Sequence, residues 1–121
     1  MIKAYRLFTG SDGDSHVEAG SLREHGSDAV VSVHFAETPA YGSFDWHTAP
    51  EAQYVITLSG TLEFTVRDGH RFLLRPGDVL IALDTTGTAH KWRMLGDEPW
   101  RRAYVVLKAG QSALFVPESR I

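Results

Sequence analysis

Apolar and polar residues alternate along this chain over short stretches, and glycine or proline interrupts them before a helical repeat can establish itself. Val30-Val31-Ser32-Val33-His34-Phe35 is β-branched and aromatic, the composition of a strand. Tyr54-Val55-Ile56-Thr57-Leu58 is a second such run, stopped at once by the turn residues Ser59-Gly60. Thr61-Leu62-Glu63-Phe64-Thr65-Val66 then alternates strictly, the period of a strand with one buried face. Asp68-Gly69 follows, and both residues tolerate the positive φ of a tight hairpin. His70-Arg71-Phe72-Leu73-Leu74 is therefore expected to return as the partner strand, closed by Arg75-Pro76-Gly77-Asp78. Val79–Leu83, His90–Met94 and Ala103–Leu107 supply three more strands around the breaks Asp84-Thr85-Thr86-Gly87 and Gly96-Asp97-Glu98-Pro99. Strands recurring at roughly 8–12-residue intervals with turn signals between them predict an all-β sandwich or barrel. Residues 1–25 are polar and glycine-dotted, so loops are expected there, with one strand at Tyr5-Arg6-Leu7-Phe8. The tail after Gly110 reads as a short strand or as an arm that contacts a partner.

Composition narrows the function classes. A chain of 121 residues fits one domain, and 43% hydrophobic with 22% charged residues is enough apolar material for a core and too mixed for disorder. Twelve Lys and Arg against fifteen Asp and Glu give a formal charge of −3, so no basic face is expected to neutralise a nucleic acid. No run approaches the roughly 18 apolar residues of a membrane span, and the start lacks the apolar stretch of a secretory leader. The expectation is a cytoplasmic protein without a membrane partner. The sequence has no cysteine, which removes disulfides, thiolate metal sites and thiol catalysis.

Six histidines are the main candidates for chemistry: His16, His25, His34, His47, His70 and His90. Two stand in informative surroundings. His47 precedes Ala49 and Gln53 in a segment that runs into the strand at Tyr54 and ends at Gly60, with six residues between Gln53 and Gly60. His90 opens a strand after Pro76-Gly77-Asp78 and Gly87-Thr88-Ala89. In order along the chain, these two segments resemble the two motifs of the cupins. The resemblance covers residues 30–107 and implies a double-stranded β-helix, the jelly-roll barrel, as a single domain over residues 1–121, flanked by an N-terminal arm (1–29) and a C-terminal arm (108–121). It also departs from the family pattern. Gly42 stands one residue too close to His47, Thr85 replaces a proline and Met94 falls where asparagine is common.

In the fuller family, two histidines and a glutamate of the first motif and a histidine of the second hold a divalent metal. Carried over residue by residue, His47 and His90 remain, Ala49 replaces one nitrogen ligand and Gln53 replaces the carboxylate. The resemblance thus implies a metal site of His47, Gln53 and His90 holding iron, manganese, zinc or nickel, with open positions for a small organic substrate. An isomerase, a lyase and a dioxygenase all fit such a site. Strand alternation places Val55, Thr57, Trp92 and Met94 on the interior face with these groups; Trp46 and His34 are further pocket candidates. The same three polar groups equally suit a metal-free module that binds a sugar, a small acid or an aromatic, and a homodimer with a vestigial site is a third reading. A homodimer is expected under all three. The plainer alternatives are strand histidines bonded to backbone, Gln53 in an amide network on the barrel wall, and Trp46 and Trp92 as core. Glu51 is expected to face solvent and His70 to lie at the surface. His16 and His25 are expected in loops without partners, and Asp45 and Asp84 to fix turns.

Overall fold

The computed structural model describes residues 1–118, which form eleven strands. These are β1 (Ile2–Thr9), β2 (Ser15–Leu22), β3 (Val30–Thr38), β4 (Ser43–His47), β5 (Gln53–Ser59), β6 (Thr61–Val66), β7 (Arg71–Leu74), β8 (Val79–Ala82), β9 (His90–Leu95), β10 (Trp100–Leu107) and β11 (Phe115–Pro117). Seven form one sheet in the order β11-β2-β1-β8-β5-β10-β3, and four form a second in the order β4-β9-β6-β7. The facing sides enclose the main core, built on Leu7, Val55, Leu62, Phe64, Leu74, Leu80, Trp92 and Trp100. This is the all-β fold expected from the strand spacing, in the jelly-roll form that the resemblance implied.

Each strand from β5 to β9 follows from the pattern that predicted it. Leu62, Phe64 and Val66 of β6 are buried while Thr61, Glu63 and Thr65 between them are not. β9 repeats the rule, with His90, Trp92 and Met94 inside and Lys91 and Arg93 exposed. Val79–Ala82 of β8 is buried throughout, because β1 and β5 pair with it on both edges and apolar clusters cover both its faces.

The chain passes from the large sheet to the small one at Ser59-Gly60, between β5 and β6. Gly60 has φ 87°, and a Cβ there would lie 2.9 Å from the carbonyl oxygen of Pro99. Two penalties therefore coincide, a left-handed backbone and a contact with main chain that cannot swing aside. Gly60→Ala is expected to lower stability by about 2 kcal/mol or more, measured by denaturant unfolding; an unchanged midpoint would contradict this assignment.

The N-terminal region differs from expectation. The strand expected at Tyr5–Phe8 is present but longer, as β1, and a second eight-residue strand, β2, replaces loop; β1 pairs in parallel with β8 near the middle of the large sheet. The expected N-terminal arm is thus part of the barrel wall. These strands lack clean alternation because their stability comes from pairing on both edges of β1 and from cross-strand ion pairs such as Arg6–Glu18. His16 likewise has a partner after all, in Asp12 at 2.9 Å, which raises its pKa.

The tail forms a strand, β11, which pairs with β2. Leu114 and Phe115 pack on a second apolar cluster of Ala4, Tyr54, Val79, Ile81 and Leu107, on the outer side of the large sheet. Tyr54 donates its hydroxyl to Asp28 and meets Ser112, and burial followed by the Asp28 contact pushes its pKa up to about 12. The last three positions of the expected C-terminal arm, 119–121, lie outside the described residues.

Candidate functional site

Between the two sheets lies a cavity of about 590 Å³, within the usual range for small-molecule pockets. His47 and His90 sit at one end of it, and the reason is register. They are direct partners across the antiparallel pair β4–β9. A bulge between Phe44 and His47 shifts that register. It lets Phe44 and His47, three residues apart, both face the cavity, which an unbroken strand forbids. The two imidazole centroids are 4.5 Å apart.

Both rings are held by the same nitrogen. His47 donates from Nδ1 to the carbonyl oxygen of Asp45 at 2.7 Å. His90 donates from Nδ1 to Oδ2 of Asp84 at 2.6 Å. Each Nε2 is left with its lone pair free, the tautomer that a carbonyl or carboxylate behind a histidine selects. Burial, and to a smaller degree the neighbouring His90, lower the pKa of His47, which favours the neutral ring.

Asp84 is fully buried and joins three parts of the chain. Its Oδ2 accepts from His90 and from Ser15 Oγ at 2.7 Å, and its carbonyl oxygen accepts from the Ala49 amide at 3.0 Å. Asp84 Oδ1 is the only buried side-chain polar atom without a partner among the described residues. The expectation that Asp84 fixes a turn through its side chain is therefore corrected: it is a buried acceptor that orients His90. Sequence reasoning could not find this role, because Ser15 stood in a segment read as loop. Ala89, directly before His90, carries φ 75°, a conformation that costs an L-residue roughly 1 kcal/mol.

Gln53 is buried and lines the same cavity, so the three expected metal-site residues His47, Gln53 and His90 share one space, with Ala49 among them. Of the pocket candidates, Val55, Trp92 and His34 line the cavity, and His34 stacks on Tyr104 at 4.8 Å. Thr57, Met94 and Trp46 do not. Thr57 lies in the core, where its hydroxyl meets Trp100 Nε1 at 3.4 Å. Met94 packs in the core, because strand alternation carries it beyond the cavity floor. Trp46 points away from His47, as a strand neighbour must, and its ring lies under Arg67 and Lys91. Glu51 is exposed at the cavity rim and His70 at the surface.

The sequence reading missed Arg102, Tyr104 and Trp100, which form much of the opposite wall. Alternation from Tyr104 backwards would have placed all three on one face, but the strand was expected to begin only at Ala103.

His47, Gln53 and His90 in an apolar, aromatic-walled barrel interior define the class: a small jelly-roll protein with an internal cavity. The chain belongs to the cupin family, since the family model described as "Cupin domain" matches residues 34–106. Solved structures similar to it include protein NMB1881 from Neisseria meningitidis, at 14% identity and TM-score 0.44, covering 72% of this chain and 88% of that one. A cupin-2 domain containing protein from Shewanella frigidimarina NCIMB 400 is similar at 21% identity and TM-score 0.44, covering 71% and 84%. A comparison with curated proteins found no match.

By donor chemistry alone, the set of His47, His90 and Gln53 would suit a divalent transition metal. Two imidazoles and an amide oxygen would make three ligands, the number that catalytic sites use with positions left open. No group of three His, Cys, Asp or Glu residues suited to a metal occurs among the described residues; a set built on His47 and His90 would need Gln53 as its third donor. Asp84, 2.6 Å behind His90, would place a carboxylate next to such a set through a carboxylate–histidine pair.

Proposed function

We propose that the barrel interior binds a small organic molecule beside one divalent metal held by His47, His90 and Gln53. The observation that supports this most is the matched tether of the two imidazoles, each held at Nδ1, with ring centroids 4.5 Å apart. When bound, such a metal supplies Lewis acidity or an oxygen-binding centre. The chain's own groups do the rest. Asp84 and the Asp45 carbonyl fix the ring orientations, Trp92, Trp100 and Phe64 exclude water, and the free wall of the cavity receives the organic molecule. Metal content of the untagged protein, against the His47→Ala/His90→Ala variant, tests the reading.

A second reading is favoured by the neutrality of the donor set. Ala49 and Gln53 give one nitrogen ligand and one negative charge fewer than the fuller family site. A metal-free pocket would use His47, Gln53 and His90 as hydrogen-bonding groups for the same organic molecule. The two readings differ in metal content alone.

A homodimer is part of the proposal. β3 ends the large sheet, and Val31, Val33 and Phe35 are exposed on its outer side, with Leu58 of β5 on the same face. An unpaired edge beside an exposed apolar patch supports pairing with a second copy. Sedimentation equilibrium is expected to give twice the chain mass, and Phe35→Glu to give the monomer. A wild-type monomer at micromolar concentration would contradict the pairing.

A further inference from the structure

Arg102 is nine-tenths buried in the cavity wall, yet it has no carboxylate partner among the described residues. The chain's other buried or half-buried cations are treated differently: Lys3 holds Glu118, Arg6 holds Glu18, and even the exposed Arg93 and Arg101 hold Glu63 and Glu37. Burying a charge without a counter-ion is costly, so its retention calls for an account.

The guanidinium is immobilised with care. Nε donates to the Tyr104 hydroxyl at 3.0 Å, and Nη1 donates to Thr38 Oγ1 at 2.7 Å and to the Trp100 carbonyl at 3.1 Å. Its Cζ lies 3.9 Å from the centroid of the Trp100 ring. All three acceptors are neutral, so the side chain is fixed while its charge is left unspent. Nη2 makes no hydrogen bond to the described residues, and the Arg102 side chain lines the cavity.

The geometry points to Arg102 as the anchor for a carboxylate of the molecule that the cavity takes; this rests on the small-molecule reading and is independent of the metal. Arg102 is the only lysine or arginine lining the cavity among the described residues, which matches one negative charge better than the two of a phosphate monoester. Val55, Phe64, Leu80, Trp92 and Trp100 give the wall a large apolar and aromatic surface, with Glu51 exposed at the rim. The ligand class is therefore a small monocarboxylic acid with an apolar or aromatic body, its acid group on Arg102 and its other polar group toward His47, Gln53 and His90. A guanidinium suits this task because its donors lie in one plane and pair with a carboxylate in two parallel bonds.

The test uses benzoate and its neutral isostere benzamide as probes, with binding read from tryptophan fluorescence and from the ligand-dependent rise in melting temperature. Benzoate is expected to bind wild-type protein at least tenfold more tightly than benzamide. Arg102→Gln is expected to remove that preference, and Arg102→Lys to keep part of it. The His47→Ala/His90→Ala variant, which removes two of the proposed metal ligands, is expected to retain it. Equal binding of the two probes to wild-type protein would overturn the anchor while leaving the cavity as a small-molecule site. Binding of neither at about 10 mM, the weak limit of useful affinity, would overturn both. A benzoate preference lost only with the histidines would move the carboxylate from Arg102 to the metal and so overturn the assignment. The wild-type comparison needs no variant, so a failure of Arg102→Gln to fold does not blunt it.

Discussion

Asp84→Ala is expected to cost roughly 2–5 kcal/mol, a large part of the stability of a domain this size. The deletion leaves two donors, the Ser15 hydroxyl and His90 Nδ1–H, facing a sealed interior with no acceptor. Each orphaned buried donor costs about 1–3 kcal/mol. The melting temperature is expected to fall by roughly 10 °C or more. Asp84→Asn separates hydrogen bonding from charge. Both donors converge on Oδ2, while Oδ1 has no partner, so an amide can place its oxygen at Oδ2 and its NH2 at the orphan position. Its stability cost is therefore expected to stay below about 2 kcal/mol. Metal affinity, by contrast, is expected to fall about 10- to 100-fold in both variants, because each removes the charge behind His90. Thermal unfolding and a metal titration on the three proteins check the pattern. Equal stability losses for Ala and Asn would contradict the assignment of Oδ2 as the shared acceptor.

The second large effect concerns His47 and His90 themselves. Neither ring carries the fold in the way Asp84 does. His47 is half-buried at the cavity end, bonded only to the carbonyl of Asp45 two residues away. Removing both rings takes two of three donors from the set and leaves Gln53, a neutral oxygen ligand that cannot hold a transition metal alone. Metal binding is expected to vanish in His47→Ala/His90→Ala. The fold is expected to survive, with the Asp84 carboxylate keeping its bond to Ser15 and gaining water through the space that His90 leaves. Circular dichroism of the double variant checks that survival. Loss of the strand spectrum would show that the histidines are structural.

The legible part of this molecule was the part whose stability comes from alternation. β5 through β9 bury one face each or lie in mid-sheet, and their residues say so directly. Only the middle of β1 was legible and β2 was hidden, because pairing and ion pairs such as Arg6–Glu18 hold them, and neither leaves a period in the sequence. The site divides along the same line. His47, Gln53 and His90 were found through motif order, and the structure brings them to one cavity. Trp46 was misplaced because its orientation follows from its neighbour His47 facing inward. Asp84 and Arg102 were not legible as site residues, since their roles depend on Ser15, Thr38 and Tyr104, contacts between distant parts of the chain.

Inductively coupled plasma mass spectrometry on untagged protein, beside the His47→Ala/His90→Ala variant, tests the central claim most directly. Near one equivalent of iron, manganese, zinc or nickel per chain in the wild type and none in the variant is the result expected of a metal held by His47, His90 and Gln53. Substoichiometric metal that does not change on mutation, even after reconstitution with each of the four ions, would contradict it and leave the metal-free pocket as the function of the site.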